Sequence, residues 1–189
     1  MRHYLLFCFL IYSASSIAQN LVEDNFPTED GKIFYQGVVN VDSAISDQDL
    51  YLNAKEWIIE SFGSSDDVIV TDDRDLNILI VKGFIAKGHN VSAQHPKNWF
   101  TLKIEMKDGR YRYTLHDIIY DFTVSMGTVS KDYSVLLEEW LVVSDAVQGK
   151  KREKMMAKLN TYCSELDSQF KLTIESLDKR MQKQRDDEW

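Results

Sequence analysis

From Trp99 to Lys107 (WFTLKIEMK) apolar and polar side chains alternate almost strictly, the two-residue period of a strand with one buried face. Asp108-Gly109 follows, a hairpin signal that reads as a type I′ turn, in which both central residues need positive φ. Arg110 to Tyr120 (RYRYTLHDIIY) is then the returning strand. A two-residue turn sets the register, placing Lys107 opposite Arg110, Glu105 opposite Arg112, Ile104 opposite Tyr113 and Leu102 opposite Leu115. Phe100, Leu102, Ile104 and Met106 thereby join Tyr111, Tyr113 and Leu115 on an apolar face. Lys103, Glu105, Lys107, Arg110, Arg112, Thr114 and His116 form the wet face.

The same reading organises the rest of the chain. Gly31–Val41 (GKIFYQGVVNV), rich in aromatic and β-branched residues, predicts a strand with Ile33, Tyr35, Gly37, Val39 and Val41 on one face and Phe34 and Val38 on the other. Ser46, with Asp49 three residues on, predicts a helix N-cap. Leu50, Tyr51, Ala54, Trp57, Ile58, Ser61 and Phe62 recur at helical spacing, Asn53, Lys55, Glu56 and Glu60 fill the polar side, and Gly63 is the stop. Trp57 is expected to anchor this helix on a sheet. Val68–Thr71 is a short strand, Asp72-Asp73-Arg74-Asp75 a polar turn, Leu76–Ala86 a longer strand, and Gly88–Asn98 a loop. Asp121–Ser134 shows no decisive period, and Val135–Val143 suits a short helix carrying Trp140 inward. From about Val147 a long helix is expected, with Met155, Leu159, Tyr162, Cys163, Leu166, Phe170, Ile174 and Leu177 as its apolar stripe and a charged end from Asp178 that frays. The order β-α-β-β-β-β-α predicts an α+β fold of two layers, a curved antiparallel sheet with helices on one face.

The N-terminus follows a different logic. Arg2 and His3 precede an unbroken apolar run, Tyr4–Tyr12, and a small-residue stretch, Ser13–Ala18, which together read as a cleavable secretory leader with cleavage near Ala18-Gln19. The run is too short to span a bilayer, which takes about 20 residues. Cys8 lies inside it, behind Phe7, which does not suit a lipoprotein signal. The expected organisation is a leader at 1–18, a flexible lead-in at 19–30, one α+β domain at 31–180 and a charged tail at 181–189. The product is expected in the periplasm or outside the cell, with no transmembrane segment in the mature chain. Loss of the leader leaves Cys163 as the one cysteine, so no intramolecular disulfide is expected. The formal net charge of −8 opposes a phosphate backbone and argues against nucleic acid as a partner.

Three stretches resemble a known family: the strand GKIFYQGVVNV, the helix LYLNAKEWIIESF and the hairpin LKIEMKDGRYRYTLHDI. They are similar to the secreted bacterial domain-of-unknown-function family 4468, whose fold is like that of the TATA-box-binding protein (TBP). The resemblance covers roughly residues 31–121, and 122–146 departs from it. It implies the same element order and export, and carries no catalytic residues over. DNA binding is not implied, because a fold does not bring a function with it.

Candidate chemistry is sparse. Lys103, Arg110, Arg112 and His116 on the wet face read either as an anion or acidic-partner site or as an ordinary solvated face, and Glu105 in their midst favours the second. His89, His95 and His116 lack the close ligand pair of a zinc site. Asp66, Asp67, Asp72, Asp73 and Asp75 lack the spacing of a calcium loop and suit turns. Asn90-Val91-Ser92 fits a glycosylation sequon, which is idle without the machinery. No nucleophile motif or phosphate-cradling loop is present. Neither catalytic residues nor a cofactor or metal is expected. The sequence thus favours an exported, non-catalytic binding domain whose partner is a protein or small ligand of the cell envelope. The alternatives are a carboxylate-based hydrolase and a structural subunit of an envelope assembly.

Overall fold

The computed structural model describes residues 21–63, 68–86, 96–145 and 152–185. The leader, Asp66, Asp67, His89, His95 and the sequon lie outside them. Two compact units make up the chain, one comprising Phe34–Ile85, Trp99–Asp117 and Gln169–Trp189, the other Met1–Ile33, Ala86–Asn98 and Ile118–Ser168.

The first unit is an α+β layer pair. Its strands are β3 (Tyr35–Asn40), β4 (Ile69–Asp73), most of β5 (Ile78–Ala86) and β6 (Lys97–Lys107), and the start of β7 (Arg110–Met126). Hydrogen bonding orders them β3-β7-β6-β5-β4, so β3 inserts next to the last strand, with Tyr35 opposite Leu115 and Asn40 opposite Arg110. The alternation expected for β6 is observed without a break, Phe100, Leu102, Ile104 and Met106 being buried. The turn differs from expectation: only Gly109 takes positive φ, at 70°, whereas type I′ would need Asp108 there as well. Asp108 has another task, its carboxylate accepting a bond from the Asp47 amide at 3.2 Å.

Helix α1 (Asp47–Phe62) begins as its sequence dictates, with the reciprocal Ser46/Asp49 capping box, and its chain reverses at Gly63 with φ 91°. Leu50, Tyr51, Ala54, Trp57 and Ile58 are buried. The C-terminal part of α3 (Arg152–Met181), from Gln169, lies in the same unit and buries Phe170, Leu177 and Met181. A relay of rings joins the layers: Trp57 to Phe62 at 5.4 Å, Phe62 to Phe100 at 5.9 Å, Phe100 to Phe170 at 5.6 Å, and Phe170 to Tyr35 at 5.5 Å. Gly83 makes this possible, since a Cβ there would stand 2.6 Å from the Phe100 ring and 3.0 Å from that of Phe62.

Three expectations are corrected here. Asn53, assigned to the polar side, is buried, its amide donating to the Lys183 carbonyl at 2.8 Å and accepting from Arg185 at 3.3 Å. The charged end from Asp178 does not fray over the described residues: Arg180 pairs with Glu56, and Arg185 reaches the same carboxylate at 2.8 Å. Asp72, read as part of a turn, instead lies within β4, where Tyr51 donates to it and Lys55 pairs with it at 2.7 Å.

The second unit contains the short hairpin of β1 (Thr28–Glu29) and β2 (Lys32–Ile33), the remainder of β7, β8 (Val129–Leu136), α2 (Leu137–Asp145) and the first half of α3. The stretch without a decisive period is thus a long hairpin closed at Gly127, with Tyr120 opposite Val135 and Met126 opposite Val129. Within β7 the buried positions switch from Tyr111 and Leu115 to Ile118, and the switch falls at Asp117, whose φ is 51°. A positive φ interrupts the regular extended backbone, whose alternation of faces depends on uniform strand geometry. Beyond it Tyr120, Phe122, Val124 and Met126 share a face with Val129, Lys131, Tyr133 and Val135, while the other face carries the bonded pairs Asp121–Ser134, Thr123–Asp132 and Ser125–Ser130. The short helix starts at Leu137 rather than Val135, with Trp140 against Tyr120 at 4.4 Å. Cys163 has no exposed surface, and burial pushes its thiol up to about 12, which disfavours the reactive thiolate. Among the described residues no helix is long and apolar enough to cross a membrane.

Trp57→Ala is expected to cost about 3–5 kcal/mol in chemical denaturation, and Gly83→Ala about 1–3 kcal/mol by crowding Phe100; an unchanged midpoint for either would contradict the ring relay. The Arg185 hydrogen bond, with Arg180 adding to it against an opposing effect of burial, holds Glu56 below its ordinary value of 4.5. A carboxyl depressed in the folded state stabilises above its unfolded pKa and loses that contribution as pH falls through the folded value. The stability difference between the native chain and Arg185→Gln should therefore be present at neutral pH and vanish in acid below the ordinary carboxylate range.

Candidate functional site

The open side of the first unit's sheet is built from the positions that alternate with the core. On β3 these are Gln36, Val38 and Asn40, all exposed. Pairing sets Gln36 beside Thr114, Val38 beside Arg112 and Asn40 beside Arg110. On β6 the matching positions Lys103 and Glu105 are half-buried and Lys107 is exposed. Apolar side chains share the face: Val38 is 61% exposed, Phe84 lies 5.0 Å from Trp99, and Phe34 lies 6.1 Å from the His116 ring.

The four residues singled out by sequence end up in three situations. Arg112 grips Glu105 bidentately, Nε donating at 2.7 Å and Nη2 at 2.8 Å. Lys103 pairs with the same carboxylate at 3.0 Å. Chiefly through the Arg112 hydrogen bond, this holds the Glu105 carboxyl below its ordinary range, and the Arg112 guanidinium is raised in return. His116 stands apart, with Nδ1 2.9 Å from the Asp117 carboxylate. Arg110 is exposed, and among the described residues its side chain makes no ion pair or hydrogen bond; the same holds for Lys107. Thr114, assigned to the wet face, is only 8% exposed.

A depression of about 290 Å³ lies at the hairpin end, lined by Val38, Glu105, Lys107, Arg110, Tyr111 and Arg112. Tyr111 belongs to its lining, but its ring is buried on the covered side of the sheet, where its hydroxyl donates to Asp178 at 3.0 Å. Sequence reasoning had Lys107 on this face but did not select it, although the turn register alone sets it opposite Arg110. Val38 and Asn40 join the site through the β3–β7 pairing, which no local pattern encodes.

Residues 35–121 match the family described as a domain of unknown function (DUF4468) with TBP-like fold. Over this stretch, just under half of the chain, the sequence is similar to that family. Two solved structures are similar over most of the chain. A TBP-like protein from Parabacteroides distasonis superposes with a TM-score of 0.53 at 16% identity, covering 80% of this chain and 96% of that one. A DUF4468 family protein from Bacteroides ovatus gives a TM-score of 0.58 at 14% identity, covering 87% and 95%. At such identities the likeness speaks to fold alone. No functionally curated protein matches the chain. The matched segment contains every residue of the depression, whereas the outer part of the β7–β8 hairpin and all of α3 lie beyond it.

Arg112→Ala should raise the titration midpoint of Glu105, followed by the carboxyl carbon shift, because the largest cause of its depression is removed. Arg110→Ala together with Arg112→Ala should leave the melting temperature nearly unchanged, since both side chains lie on the exposed face; a collapse of the fold would show that this face is buried.

Proposed function

We propose that this chain is an exported, non-catalytic binding protein that works through the open sheet face of its DUF4468-like segment. The observation that carries this reading is the composition of that face. Val38 and the Phe84–Trp99 pair sit on the same surface as the cations of β6 and β7. Apolar contact area rimmed by charge is the usual make-up of a recognition surface. The site of action is the periplasm or the exterior, reached through the leader at 1–18.

Two measurements test it. N-terminal sequencing of the chain recovered from the envelope or the medium should begin at Gln19; recovery from the cytoplasm with Met1 retained would contradict export. In envelope pull-downs Val38→Glu should lose the partner while keeping its melting temperature, and unchanged capture would sink the open-face reading.

The alternative of a structural subunit of an envelope assembly is favoured by the β7–β8 hairpin. Val124, Met126, Val129 and Tyr133 leave its apolar face exposed, and the far edge of β8 pairs with no strand among the described residues. A second copy suits this edge: antiparallel pairing about Tyr133 sets Asp132 opposite the second copy's Ser134, repeating the Asp121–Ser134 pair within the hairpin. Sedimentation should then show a concentration-dependent mass that Ser134→Pro abolishes; a monomer at all concentrations would remove this alternative.

A further inference from the structure

We infer that the hairpin end of the open face binds a carboxylate next to an apolar group, the chemistry of an acidic peptide segment; this rests on the open face being the binding surface. Lys107 and Arg110 flank the two-residue turn and face each other across the strands. Like charges directly opposite are destabilising, and among the described residues no carboxylate compensates them. Glu105 does not do so, because Arg112 and Lys103 already occupy it. The same grip fixes the Arg112 guanidinium at the wall of the depression. Three cations against one carboxylate thus line a depression in a chain of net charge −8.

That inversion of sign selects the ligand. A long polyanion would meet the field of the whole acidic chain, whereas a single carboxylate feels charges within about one Debye length, roughly 8–10 Å at moderate salt. The planar fork of Arg110 matches a carboxylate bidentately, and Lys107 adds a point charge beside it. Val38, 61% exposed on the neighbouring strand, offers the apolar contact. Asn40, exposed beside Arg110, presents an amide that can donate to the same anion.

The test is an NMR titration of the isotope-labelled chain with N-acetyl-Leu-Glu-amide, its Leu-Gln counterpart and inorganic phosphate. The Glu peptide should move the amide signals of Val38, Lys107 and Arg110, and the Gln peptide should not. Lys107→Gln with Arg110→Gln should weaken binding at least about tenfold, or about 1.4 kcal/mol, at an unchanged melting temperature, and added salt should weaken it too. Shifts elsewhere on the surface, equal binding of the Gln peptide, or affinity unchanged in the double variant would each overturn the inference. Phosphate binding as strongly at the same amides would overturn the carboxylate assignment. If the double variant keeps its envelope partner and Val38→Glu loses it, the open face still binds and the carboxylate site falls. If neither change affects capture, the functional reading falls with it.

Discussion

Phe100 holds the first unit together. It is 1% exposed and touches a ring from each helix, Phe62 of α1 at 5.9 Å and Phe170 of α3 at 5.6 Å. Tilted and edge-on ring pairs of this kind gain about 0.5–1.5 kcal/mol beyond the area they bury. The contact depends on an absence, because Gly83 on the next strand leaves the space that a Cβ would fill. The open side is what remains when both helices choose the same face.

A polar clasp complements that apolar centre. Asn53 and Glu56 on α1 receive Lys183, Arg180 and Arg185 from the chain end. A buried amide without partners would be costly, about 1–3 kcal/mol, so the end of the chain satisfies a group that the helix buries. The clasp thus specifies where the last residues go, and its pH dependence lies in the carboxylate of Glu56.

On the open side the electrostatics separates paired charges from unpaired ones. Lys103 and Arg112 both pair with the half-buried Glu105 and form a closed network of ion pairs on β6 and β7. Arg110 and Lys107, one register step nearer the turn, are left out of it. Their charges are the ones available to a ligand, and Val38 beside them supplies area rather than charge. The functional proposal rests on this difference between neighbouring rows of one sheet.

Local periodicity determined a great deal. The alternation of β6, the capping box at Ser46 and the stripe from Leu159 to Leu177 each follow from spacing within one element, where backbone geometry alone decides which side chains share a face. The Glu105–Arg112 pair was legible for the same reason, since a two-residue turn fixes register. The β7–β8 hairpin was harder to read, because the positive φ at Asp117 interrupts the strand and its polar face is made of small Ser, Thr and Asp residues. Other features were settled by the tertiary structure. Asn53 looks like a solvent-facing residue until the chain end arrives with a carbonyl for it. Val38 and Asn40 become parts of a site only because β3 inserts beside β7, about 75 residues away in sequence. Sequence spacing decides what a side chain faces, but long-range packing decides what it meets, and a binding surface is made of meetings.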